Sequence, residues 1–188
     1  MGYREYWDQI YEKSDELNSL VLSYWDKYSN LGTWQFWVVA FLLIFPLIIL
    51  YFKVDRKRIF EWLFFGYTVH ILWNYTAIVL EKYGYFVHTY FLLPVLPMAV
   101  NVTASALPVG FLLMYQYCSN NKKNFFLYTV LLSAVFAFGL VTIEDNLGIV
   151  EINKGMNQIY IFLIDIAIAF VSLWLTKLIK GMAKVAEK

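Results

Sequence analysis

The sequence predicts an all-α fold: a polytopic membrane bundle of five transmembrane helices with an N-terminal amphipathic interfacial helix. Two observations predict it. Of 188 residues, 61% are hydrophobic and only 15% charged, with a mean hydropathy of +0.57, a composition outside that of soluble globular domains. The apolar residues also gather in runs of about 20, the length that crosses a bilayer core, so a chain of this size holds roughly five spans. The expected organisation is an amphipathic helix over 1–32, a five-span domain over 33–180 and a cytoplasmic tail over 181–188.

The first segment recurs at helical spacing. Tyr6, Trp7, Ile10, Tyr11, Leu17, Val21, Tyr24, Trp25 and Tyr28 alternate with Arg4, Glu5, Asp8, Glu12, Lys13, Asp15 and Glu16, the pattern of an amphipathic helix with an aromatic face. It is too charged to span, and belongs in the interface or as a cap on the bundle. Its excess of acid over base favours docking on protein over binding anionic lipid.

The expected spans follow at 34–52, 60–80, 91–116, 125–143 and 157–176. Pro46 bends the first. The third, FLLPVLPMAVNVTASALPVGFLLMYQ, holds three of the chain's four prolines. Interior proline removes a backbone donor, which lipid tolerates only where neighbouring groups re-satisfy the freed carbonyls. Read as one helix, Pro94, Asn101, Ser105 and Pro108 share a face, which makes this the inner helix of the bundle, irregular around Pro94–Pro97. The aromatic stretch KYGYFVHTY before it reads as a turn at the headgroup boundary, with His88 an interfacial residue.

Orientation follows from Lys and Arg placement. Lys53, Arg56, Lys57, Arg58, Lys122, Lys123, Lys177, Lys180, Lys184 and Lys188 fall on one side of a five-span arrangement, and Arg4, Lys13, Lys27, Lys82 and Lys154 on the other. The chain is expected in the cell membrane, with its amino end outside and its carboxyl end cytoplasmic.

Ionisable side chains at bilayer depth cost about 2.5–3.5 kcal/mol each on insertion scales, so each asks for a partner or a role. By depth they form two layers. His70, Asn101 and Asp165 lie near the midplane, while Glu81, Glu144 and Asp145 lie at the outer mouth. Asn74 and Trp73 sit beside His70 in the second span, and Ser105 one turn beyond Asn101. An Asp165–His70 pair at low dielectric either relays a proton or locks the bundle; Glu144 or Asp165 is the candidate acid and His70 the candidate base. Asn74, Trp73, Asn101, Ser105, Glu81 and Asp145 are candidate ligand-binding residues. A single cysteine, Cys118, and two histidines leave no metal site, and no cofactor motif is present. A formal charge of +1 gives no reason to expect nucleic acid.

LGTWQFW before the first span, HILWN, the LLP…LP…N run and the Glu144–Gly148 turn together resemble a family of small bacterial multi-pass proteins of unknown function. The resemblance covers most of residues 30–175; it implies a fold of several spans and carries no catalytic residue. WNYTAIVLE, with Asn74 and Glu81, resembles the integral-membrane terpene cyclases, small helical bundles that use intramembrane Asp and Glu to protonate an isoprenoid. Three readings follow: a module with a polar pocket open to the outer side, holding membrane lipid, a lipophilic small molecule or a membrane protein partner; an enzyme doing acid–base chemistry on an isoprenoid or lipid; or an ion or proton path in an oligomer.

Overall fold

Local signals start and stop each helix of the computed structural model, which describes residues 2–186. Helix α1 (Tyr3–Tyr24) opens on a reciprocal cap, with the Gly2 amide donating to Glu5 Oε2 at 2.8 Å. The Thr33 hydroxyl accepts from the Phe36 amide at the start of α2 (Trp34–Lys53). Asp55 caps a short 3-10 turn, Arg56–Arg58, that leads into α3 (Ile59–Lys82). A π-helical turn, Val102–Ala106, runs into α4 (Leu107–Asn120). The Asn124 side chain then accepts from the amides of Phe126 and Leu127 to open α5 (Phe125–Ala134). A second π-helical stretch, Val135–Leu140, joins α5 to α6 (Val141–Asn146), and α7 runs over Gln158–Ala186.

Four helical segments, Trp34–Lys53, Arg56–Lys82, Phe125–Asn146 and Gln158–Ala183, are long and apolar enough to cross a membrane. Trp37, Phe41, Phe45 and Ile48 of α2, Leu131 and Phe138 of the α5–α6 segment, and Leu163 and Trp174 of α7 are all exposed. A girdle of this kind suits contact with acyl chains rather than water.

The expected third span is corrected. Residues 91–99 are not helical, and the helix occupies 100–120. Pro94 and Pro97 therefore stand outside it, so Pro94 shares no face with Asn101. The irregular Pro94–Pro97 segment and the inner position of Asn101 and Ser105 are as expected: both side chains are fully buried. This helix packs on α3 and α5, and on α2 through the π turn. Ser105 Oγ donates to the Leu43 carbonyl of α2 at 2.6 Å. Surrounded by protein, it can keep Asn, Thr and Ser that a lipid-facing helix would not.

Two glycines build the end of the bundle. Gly84 and Gly148 both adopt positive φ, 66° and 68°. At α3, Gly84 N–H donates to the Glu81 carbonyl and Tyr85 N–H to that of Leu80; at α6, Gly148 donates to Asp145 and Ile149 to Glu144, all at 2.8–2.9 Å. Each set is a Schellman cap, which needs the left-handed conformation at its turn residue. Both caps hand the chain directly to strands β1 (Phe86–His88) and β2 (Val150–Ile152), which pair antiparallel with Val87 opposite Glu151. The stretch read as a headgroup turn thus contains a strand, because its partner lies over 60 residues away. His88 is buried rather than interfacial.

The sheet marks one end of the bundle and the basic turns mark the other. The Asp55 amide donates to Gln116 Oε1 at 2.8 Å, and Arg58 reaches Ser119 Oγ at 3.2 Å, bringing the α2–α3 and α4–α5 turns together. Lys180 of α7 arrives at the same end. Helix α7 continues through Ala186, so the expected tail is helical as far as it is described; Glu187 and Lys188 lie outside the described residues.

Helix α1 buries no residue, and its aromatic face, including Tyr3, Trp7 and Tyr11, is exposed. It is tied to the sheet end through Trp25–Ser29 instead. Trp25 Nε1 donates to the Leu92 carbonyl at 3.1 Å, and Ser29 Oγ exchanges hydrogen bonds with the Phe91 backbone at 2.9 Å. Burial there pushes the Tyr24 hydroxyl up from its usual range, reinforced by Tyr90 and Glu151.

Candidate functional site

Of the expected midplane layer, His70 lines one cavity, Asp165 lines another and Asn101 lines neither of the two. His70 and Asp165 make no hydrogen bond to each other. Asp165, fully buried on α7, accepts from Trp73 Nε1 at 2.8 Å. His70 Nδ1 instead meets the Thr103 carbonyl at 2.8 Å. The expected Asp165–His70 pair is therefore corrected: each side chain is engaged by a different partner, Trp73 for Asp165 and the Thr103 carbonyl for His70.

Pro108 explains why that carbonyl is free. Within the π turn, Leu107 N–H bonds the Val102 carbonyl, one residue further back than α-helical register. The next donor that could serve Thr103 in the same register would be residue 108, and proline has none. Thr103 is left with an orphan carbonyl inside the bundle, and His70 satisfies it. Because a carbonyl only accepts, Nδ1 carries the hydrogen, and neutral His70 presents Nε2 as a lone-pair acceptor.

His70 lines the larger cavity, an open groove of about 770 Å3 between α2, α3, the 100–120 helix and α7. Its walls are apolar: Leu47, Phe64, Ala104, Val109, Leu112 and Ile179 among them. Gly66 keeps Leu112 close to α3, since a Cβ there would stand 2.7 Å from Leu112 Cδ1. Toward the basic turns the cavity is lined by Glu61 and Lys180. Glu61 is a hub. Its carboxylate accepts from Arg58 Nε and Nη2 at 2.7–2.9 Å, from Tyr115 Oη at 2.7 Å and from Lys180 Nζ at 2.6 Å. The Arg58 guanidinium also lies 4.3 Å from the Trp62 ring centroid, a cation–π contact. The expected pocket at the outer mouth is corrected in place: Glu81, Glu144 and Asp145 do not line the larger cavity, whereas Glu61 and Lys180 of the basic end do.

The second cavity, about 20 Å3, lies beneath the sheet and is lined by Trp73, His88, Thr103, Glu144 and Asp165 among apolar neighbours. Glu144 is 2% exposed, and its Oε1 has no hydrogen-bond partner among the described residues; the same holds for Asp165 Oδ2. Glu81 Oε1 accepts from His88 Nδ1 at 3.0 Å. Asn101 is fully buried and both of its amide atoms lack partners. Asn74 is half-buried, and Asp145 is exposed and lines neither cavity, a correction to its place at the mouth.

Sequence reasoning missed His88 and the Glu61 cluster. His88 was readable only through β2, because the pairing that buries it is long-range. Glu61 carried a local signal: it is the lone acid in an apolar run, three residues after Arg58, a spacing at which helix side chains meet. Among the described residues no group of three or more His, Cys, Asp or Glu side chains is arranged to hold a metal ion. Comparison with protein-family models, with characterised proteins and with solved structures finds no match to this chain.

Proposed function

We propose that this protein binds a lipid or other lipophilic small molecule in the cavity between α2, α3, the 100–120 helix and α7. The observation that carries the reading is that cavity's form: about 770 Å3 of mostly apolar-lined space, with His70, Glu61 and Lys180 among its walls. Ligand sites combine these features, a large apolar lining and a few fixed polar groups that orient the guest. The apolar body of the ligand lies along Leu112 and Val109. Its polar end meets Arg58 and Lys180, whose two positive charges exceed the single negative charge of Glu61. His70 Nε2 accepts from a hydroxyl or amine on the guest.

The alternative, acid–base chemistry on an isoprenoid as in the terpene cyclases, assigns the acid to Asp165 or Glu144. The space they line, about 20 Å3, has room for about one water molecule and not for an isoprenoid, so binding is the better-supported reading.

The test is lipid analysis by native mass spectrometry of protein purified in mild detergent, comparing wild type with Ala104→Phe, which fills the cavity. Wild type is expected to retain one amphiphile at near-stoichiometric level, and the variant at least tenfold less. A wild-type lipid profile identical to bulk membrane would overturn the reading.

The same proposal places the chain in the cell membrane, amino end outside and carboxyl end cytoplasmic. The two-to-one excess of Lys and Arg at the basic end supports it. Because Cys118 is buried, the inner reporter is Lys122→Cys. Impermeant thiol reagent on intact cells should label Ser14→Cys and spare Lys122→Cys; the reverse would invert the topology.

A further inference from the structure

The small cavity beneath the sheet has a property that ligand binding does not use. Two carboxyl groups from different helices, Glu144 of α6 and Asp165 of α7, line it together, each almost fully buried; among the described residues Glu144 Oε1 and Asp165 Oδ2 meet no hydrogen-bond partner. Leaving a buried carboxyl oxygen unmatched is costly. Two carboxyl groups buried at one small space of low dielectric are each disfavoured as anions without a counter-charge. No Lys or Arg lines the cavity. Its volume, about 20 Å3, accommodates about one water, which needs two to four polar partners.

We propose that this cavity is a proton-binding site, in which one water molecule joins Glu144 Oε1 to Asp165 Oδ2 and the His88–Glu81 pair connects it to the aqueous boundary at the sheet end. The groups around it are accounted for element by element. Helix α3 supplies the Trp73 indole, which holds Asp165 Oδ1 at 2.8 Å, and at its end Glu81. Strand β1 supplies His88. The 100–120 helix supplies neutral Thr103, whose hydroxyl is engaged with the Ala99 carbonyl at 3.0 Å. The stretch between α5 and α6 contributes only apolar side chains, Phe136 and Leu140.

Transfer is balanced through the water. As a carboxylic O–H gives its proton to the water oxygen, the water releases another of its protons to the facing carboxylate, so one carboxyl gains what the other loses. His88 lines the cavity and its Nδ1 bonds Glu81, whose side chain is 13% exposed. A proton passing between the carboxyl pair and His88 thus has one further step to a group in contact with solvent. The site is separate from the larger cavity and does not depend on what binds there.

Infrared difference spectroscopy of the full chain in nanodiscs, between acid and alkaline pH, tests the proposal through the carbonyl stretch of protonated carboxyl groups. Wild type is expected to show two such bands. Glu144→Gln should remove one and shift the other, and Asp165→Asn should do the converse, because the shared water loses a partner each time. A remaining band that does not move when its neighbour is replaced overturns the shared site. Loss of both bands on adding sodium at constant pH shows a metal cation site and overturns it equally. His88→Phe retains both carboxyl groups and provides a second measurement should the carboxyl variants fail to fold: deuterium exchange of the bands should slow at least tenfold. Unchanged exchange would overturn the route through His88.

Discussion

The two ends of the bundle handle buried polarity in opposite ways. At the basic end, one carboxylate, Glu61, is saturated by Arg58, Tyr115 and Lys180 at the rim of a large apolar cavity. Beneath the sheet, among the described residues, Asp165 accepts one hydrogen bond and Glu144 none, beside a space the size of one water. The first arrangement holds a charge still and leaves room beside it. The second leaves hydrogen-bonding capacity unused and almost no room. A saturated ion cluster locks helices and orients a guest, whereas partly satisfied carboxyl groups are chemically poised. One bundle thus separates a place for a molecule from a place for a proton.

If Glu61 is the lock, removing it should be the most damaging change. Glu61→Ala leaves Arg58, Tyr115 and Lys180 without their common acceptor. It should cost about 3 kcal/mol, with the partial exposure of Arg58 and Lys180 tempering a larger buried-pair penalty. Reversible denaturation in mixed micelles measures it. Lys180→Met, which removes a 41% exposed partner, should cost about 1 kcal/mol or less. Equal losses for the two would mean that Glu61 is no hub.

Between the two ends the helices meet through small residues. A Cβ on Gly110 would stand 2.7 Å from Phe136 Cζ and 3.0 Å from Cε2, so Gly110→Ala should overpack the contact by about 2 kcal/mol and lower the thermal midpoint. A neutral result would show that the π-helical stretch carrying Phe136 yields freely.

Beneath the sheet, Trp73→Phe removes the one donor to Asp165 and should cost about 1.5 kcal/mol. It should also perturb the Asp165 infrared band while leaving retention of lipid in the larger cavity intact. Loss of lipid in this variant would break the separation of the two ends. The smallest effect is expected from Ser105→Ala. It deletes the 2.6 Å hydrogen bond to the Leu43 carbonyl and, by the average for interhelical bonds in membranes, costs about 0.6 kcal/mol.

Composition and periodicity determine much of this protein. The apolar runs specify the all-α class and point to five spans, of which four are helices long and apolar enough to cross a membrane, because in a bilayer a segment that satisfies its own backbone has few alternatives to a helix. Pro108 and the Asn101–Ser105 pair mark the inner helix, since such residues are tolerated where protein surrounds them. Depth along the chain separates the polar residues into layers, because the rise of a helix is constant.

Depth does not say which faces meet. That Asp165 meets Trp73 and His70 meets Thr103 follows from how α3, α7 and the 100–120 helix are rotated against one another. That rotation rests on contacts such as Gly66 against Leu112, on the register slip of a π turn and on the donor missing at Pro108. The burial of His88 rests on a strand pairing more than 60 residues apart, which no local pattern encodes. A side chain's depth is a property of its own helix, whereas its partner is a property of two helices, and only the packed bundle decides it.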